Sequence, residues 1–339
     1  MRVLTGVCLL LVASCAFAGD RKDVKEIKKA IPAKPANGLR TPGVQIPFAS
    51  LTSELAYTLE APAPWIGATD AIWIPAKESL LRIDPKAKES KFGDPIAALK
   101  SPCAGVVNAF NTLWVPTCGN GGIVRAEAKG GKITATLAVG AAPIRPGIAA
   151  TADSVWAFTD PRGTVSRIDP VQNAVVAELR VFPDCNTLTF GETALWLTCP
   201  AENKVIRVDP ATNLVDKTIA VSDRPIALAI GETSVWVLCE KDGKIDRIDP
   251  KTNKVTKTIE LGAPATSGSI SIGEGSLWVS MTGFPLTRVD AASEKVLQQF
   301  WGEGHGVVQA ALGSVWLADA QIAKLRKFDP KRIAATLAE

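Results

Sequence analysis

Residues 233–261 read TSVWVLCEKDGKIDRIDPKTNKVTKTIEL, and this stretch decides the fold. It holds an apolar run around Trp236, a turn at Asp242-Gly243, and then Arg247-Ile248-Asp249-Pro250. After the turn 249–253, Val255, Lys257, Ile259 and Leu261 alternate with Thr256, Thr258 and Glu260, the period of a half-buried strand. Pro250 cannot extend a central strand and presets a turn. With a preceding strand at 226–230, the segment predicts four short antiparallel strands: 226–230, 234–239, 244–248 and 254–261.

The pattern recurs along the chain. Trp73, Trp114, Trp156, Trp196, Trp236, Trp278 and Trp316 are spaced 38 to 42 residues apart, each between apolar neighbours. A basic–apolar–acid element follows each one, running from Arg82-Ile83-Asp84 to Lys327-Phe328-Asp329. Four strands in about 40 residues, seven times over, predict an all-β, seven-bladed β-propeller. The repeated Trp is then expected to fill the gap between neighbouring blades. The base and the acid two residues on share a strand face and are expected to pair with each other. Residues 54–60 and 333–339 are both candidates for the outer strand that closes the ring.

The chain has 339 residues, nine Trp, one Tyr, one His and a net charge of +4. A single His rules out a His-based metal cage or a two-histidine dyad within one chain. Residues 1–18 read as a secretory signal: Arg2, an apolar run from Val3 to Ser14, then Ala16-Phe17-Ala18. Val12-Ala13-Ser14-Cys15 also resembles a lipobox, which would lipidate Cys15. Export to the periplasm or beyond is therefore expected.

Residues 19–50 read as a basic, Pro-containing tether, and 51–339 as the propeller. Between residues 20 and 40 lie seven bases and three acids, so the rest of the mature chain is close to neutral. The tether is expected to be solvated, with anionic lipid or nucleic acid as its sharper alternative. The propeller itself is not expected to bind nucleic acid, and a monomer is expected.

Of the cysteines outside the signal, Cys103 and Cys118 are 15 residues apart, and Cys185 and Cys199 are 14 apart. Each pair is centred on the turn between a first and second strand. Two cross-strand disulfides are expected, permitted by export. The position equivalent to Cys185 in the next repeat is Pro225, which leaves Cys239 unpaired and expected to be buried.

No HExxH, nucleophile elbow, P-loop or EF-hand loop occurs. Candidate binding residues therefore come from the positions where each first strand begins, at the mouth of the central channel. These are Trp65, Lys100, Arg145, Asp184, Arg224, Ser267 and the segment Glu303-Gly304-His305-Gly306. Such a convergent set suits a small polar or anionic ligand, or a protein partner. Glu303 with Asp319 is a candidate carboxylate pair for a divalent ion, and His305 a candidate base.

The apolar-Trp-apolar and Arg-Ile-Asp-Pro repeats, over roughly residues 50–339, resemble the streptogramin (virginiamycin B) lyase superfamily. They are also similar to YVTN/YncE-like exported propellers. The resemblance implies the propeller fold, and Glu303, His305 and Gly306 match the lyases' late Glu-x-His-Gly segment. There it implies a magnesium-binding Glu303, a base that opens a cyclic ester by elimination, and a second metal carboxylate at Asp319. Ser267 stands where those enzymes carry a further histidine. Two readings follow: a binding module at the channel face, or a magnesium-dependent lyase.

Overall fold

The computed structural model describes residues 34, 37–41, 43–119, 121–140 and 147–337. The chain divides into a unit Met1–Ala33 and a unit Lys34–Glu339. The signal, the lipobox Cys15 and most of the basic tether lie outside the described residues.

Seven sheets, each built on four antiparallel strands, make seven blades, as expected, and one sheet carries a fifth strand. The fifth blade runs Pro225–Gly231, Ser234–Cys239, Lys244–Asp249 and Lys254–Glu260, within a residue of the sequence reading. First strands run the same way along the channel: a parallel bridge joins Gly147 of blade three to Leu188 of blade four.

Each blade meets the next through one apolar cluster centred on a repeated Trp. Trp236 packs with Leu277, Val279 and Met281 of the following blade, and Trp156 with Leu195 and Leu197. The last interface joins Trp316 to Ile72 and Ile74 of blade one. All seven are fully buried. An indole is wide enough to span sheets that diverge from the axis, so the Trp excess is one position used seven times.

The base and acid of the repeat do not pair with each other, contrary to the sequence expectation. The acid caps its own turn: Asp249 Oδ1 accepts the Lys251 N–H at 2.8 Å, and Asp169 Oδ1 the Val171 N–H at 2.7 Å. The arginine lies over its cross-strand Trp, with Arg125 4.4 Å above Trp114 and Arg247 5.3 Å above Trp236. In Arg125, Arg167 and Arg247 its outer end reaches the next blade, whereas Arg207 pairs with Asp216 and Arg288 bonds Ser276 within their own blades. Arg125 donates to Pro170 O at 2.7 Å and to Asn173 Oδ1 at 2.6 Å, and Arg167 donates to Asn213 Oδ1 at 3.0 Å. A long side chain on the sheet face can cross the interface, whereas a short carboxylate bends only to its own turn.

Closure comes from the N-terminal side. Leu55–Thr58 is the outer strand of blade seven, pairing Leu55 with Lys327 and Tyr57 with Leu325. The C-terminal candidate instead continues into a short helix, Pro330–Ala335, capped by Asp329. A second departure lies just upstream. The tether was read as running to residue 50, but Gln45–Pro47 forms a fifth strand in blade six, parallel to Lys295–Trp301. Buried Gln299 explains why: its side chain accepts the Leu39 N–H at 2.9 Å and donates to Leu261 O at 2.9 Å. Its own N–H donates to Val44 O at 2.8 Å.

Both expected disulfides form, Cys103–Cys118 and Cys185–Cys199, and Cys239 is free and buried. Pro225 is the cross-strand partner of Cys239, the site where a second sulfur would stand. Burial, and then the Asp246 carboxylate 3.9 Å from the sulfur, push the Cys239 thiol up from its ordinary value. In protein that begins after residue 18, alkylation should label no cysteine in the native state and one after unfolding without reductant. Mass spectrometry checks this, and native labelling of Cys239 would contradict its burial. Loss of either bridge should cost about 3 kcal/mol, the loop-closure value for some 15 residues.

Candidate functional site at the channel mouth

The loop ahead of each first strand and the loop after each second strand lie at the same end of the channel. The left-handed Arg224 (φ 61°) donates its backbone N–H to Asn203 Oδ1 at 2.9 Å. Its largely exposed guanidinium pairs with Glu240 at 2.5 Å. Beside it Lys241 pairs with Asp223 at 2.5 Å. The Lys241 ammonium, by its hydrogen bond, holds the Asp223 carboxyl below the usual carboxylate range. Blade five thus presents four alternating charges at the mouth, of which sequence reading singled out only Arg224.

The other candidates have different surroundings. Asp184 accepts the Ala201 N–H at 2.5 Å and so ties its loop to the turn Pro200–Glu202. Lys100 is exposed, as is Ser267, which sits in a turn closed by Gly268 N–H to Ala265 O at 2.9 Å. Arg145 lies outside the described residues. Trp65 does not belong to the rim: it is 7% exposed and packs in the blade one–two interface with Trp73 and Leu113. It precedes its core Trp by eight residues, where His305 precedes Trp316 by eleven, so it lies further in from the rim, two residues ahead of the strand Gly67–Ala68.

Glu303 is exposed and His305 half-buried, on a loop held by Gly304. Gly304 has φ 102°, and a Cβ there would stand 2.7 Å from Asp319 Oδ2. Both facts require glycine at the centre of the segment. Asp319 is fully buried, and its Oδ1 accepts the Gln321 N–H at 2.8 Å and the Ile322 N–H at 3.2 Å. Its Oδ2 has no hydrogen-bond donor and lies 3.9 Å from Arg326, a neighbour that sequence reading missed.

Asp319 therefore works as a turn cap beneath the loop, with Glu303 exposed above it. Among the described residues no group of three His, Cys, Asp or Glu side chains is placed to hold a metal. The donor set does not fit the magnesium site that the resemblance implied.

The architecture has close counterparts among solved structures. A streptogramin B lyase matches with a TM-score of 0.65 at 17% identity, over 80% of this chain and 95% of that one. Virginiamycin B lyase from Staphylococcus aureus matches equally, with 97% of its length covered. Its fold resembles the streptogramin lyases. BamB from Moraxella catarrhalis is a more distant likeness, with a TM-score of 0.57 and 13% identity over 79% of this chain and 85% of that one. No family model and no curated protein matches the sequence. At these identities the streptogramin-lyase likeness establishes the seven-bladed architecture, and the site must be argued from its own residues.

Proposed function

We propose that the chain is an exported binding module whose recognition surface is the channel mouth. The ligand is a small polar or anionic molecule, or a charged loop of a protein partner. The observation that carries this reading is the charge cluster of Asp223, Arg224, Glu240 and Lys241, flanked around the rim by exposed Lys100, Glu303 and half-buried His305. Charged groups from several blades gather at one end of the channel, an arrangement that suits a charged ligand. The two disulfides support export to an oxidising compartment.

Calorimetry with citrate and inorganic phosphate provides the test. Both should bind to the full mature chain, with affinity falling as salt rises. Lys100→Glu and Arg224→Glu should each weaken binding tenfold or more. If neither anion binds, or both variants bind like the parent, the anion reading fails.

A second reading is supported by the Glu303-Gly304-His305 loop together with the lyase likeness: elimination on a cyclic ester, with His305 as the base. Incubating the protein and magnesium with a cyclic depsipeptide separates the two. Ring opening lost in His305→Ala supports the lyase, and an intact ring disposes of it.

A further inference from the structure

The channel is lopsided, and the sequence explains why. Inner strands have five to seven residues in blades four to seven, but only two or three in blades one to three: Gly67–Ala68, Val107–Ala109 and Ile148–Ala150. The position six residues ahead of the core Trp is Ile230 in blade five and Ile272 in blade six. These side chains fill the channel wall closely. A Cβ on Gly191 would stand 2.6 Å from Ile230 Cγ2, and one on Gly231 2.9 Å from Ile272 Cγ2. By strand register the same position holds Ala68, Asn108 and Ala150 in blades one to three and Ala310 in blade seven, while blade four carries Phe190. Large groups thus face small ones across the axis.

The space left is a cavity of about 340 Å³ lined by Ala68, Thr69, Asn108, Ala150, Thr189 and Phe190, among others. It lies towards the end where first strands turn into second strands, away from the Arg224 and His305 loops. None of its lining residues is ionisable. Phe190 is 38% exposed, although it belongs to an inner strand. The Asn108 amide and the Thr189 hydroxyl make no side-chain hydrogen bond to the described residues. The Thr69 hydroxyl already accepts from Trp73 Nε1 at 2.9 Å and donates to Asp70.

We propose that this cavity binds a neutral saccharide, one pyranose ring deep. The volume lies within the usual small-molecule range of about 300–1,000 Å³. The electron-rich face of an aromatic ring attracts the positively polarised C–H face of a sugar. Asn108 supplies a donor and an acceptor, and Thr189 a hydroxyl, for the sugar's equatorial hydroxyls. With no counter-charge in the wall, a carboxylated or phosphorylated sugar would lose hydration without compensation.

The test is saturation-transfer NMR on the full mature chain with glucose, galactose, N-acetylglucosamine, maltose and glucuronate. Neutral sugars should give transfer and glucuronate none. Phe190→Ala and Asn108→Ala should each weaken the neutral sugars tenfold or more. Ala150→Leu, which fills the space instead of emptying it, should abolish transfer while the melting temperature stays near that of the parent. Arg224→Glu should leave sugar binding unchanged, so this site and the channel-mouth proposal fail independently. Absence of transfer from every neutral sugar would overturn the inference. So would equal transfer from glucuronate, or binding unaffected by Ala150→Leu.

Discussion

Trp236→Ala is expected to destabilise the propeller by about 3–5 kcal/mol, the range for emptying a large aromatic site in a packed core. For a chain of this size the melting temperature should fall by roughly 4–8 °C. The loss is concentrated because the indole touches two sheets at once: its own blade, and Leu277, Val279 and Met281 of the next. Its Nε1 also donates to Gly231 O at 3.2 Å, so truncation removes a donor from a half-buried carbonyl as well. Val171→Ala, at a side chain 87% exposed, should change stability by no more than about 0.5 kcal/mol. Thermal melts of the two variants check the contrast. A Trp236→Ala protein that melts like the parent would mean that the interface repacks without its central side chain.

The second large effect concerns closure. Three truncations should form a graded series in melting temperature and solubility. A chain beginning at residue 34 should match the full mature protein. One beginning at residue 52 loses the strand Gln45–Pro47, buried Ile46 and Phe48, and the Leu39 and Val44 partners of buried Gln299. It should remain folded but several kcal/mol weaker, since an unpaired buried amide alone costs about 1–3 kcal/mol. A chain beginning at residue 61 also loses Leu55–Thr58 and with it Tyr57, 1% exposed and 5.2 Å from Phe92. Blade seven then keeps three strands with a bare edge, and aggregation is expected in place of a cooperative melt. Equal behaviour of the 34 and 61 chains would refute closure by this strand.

The repeated features were legible because they recur in register. Seven Trp at near-constant spacing gave the blades and their interfaces, and the Cys positions about the first turns gave both bridges. Pro225 opposite Cys239 gave the unpaired thiol. Features that depend on distances between blades were not legible. Arg167 and Asp169 share a strand face, but nothing in the local sequence shows that Asn213 of the next blade is the nearer partner. Trp65 was misplaced because the loops ahead of the first strands differ in length, so counting from the preceding blade puts it too near the rim. Gln45–Pro47 escaped notice because the four residues between Pro42 and Pro47 carry no period. The Glu303–His305 loop was found from its sequence. Its support by Asp319 and Arg326 depends on a strand pairing that no local pattern encodes.

The closing strand also sets a timetable. Residues 55–58 are among the earliest parts of the propeller to be synthesised, yet their partners, 324–327, are among the last. Six blades can assemble as the chain emerges, but the ring stays open until the final repeat arrives, and pairing over so long a separation is intrinsically slow. If the chain is exported as an unfolded thread, the strand crosses early and waits on the far side with an exposed edge to pair. Completion of the circle then reports that the last blade has been delivered.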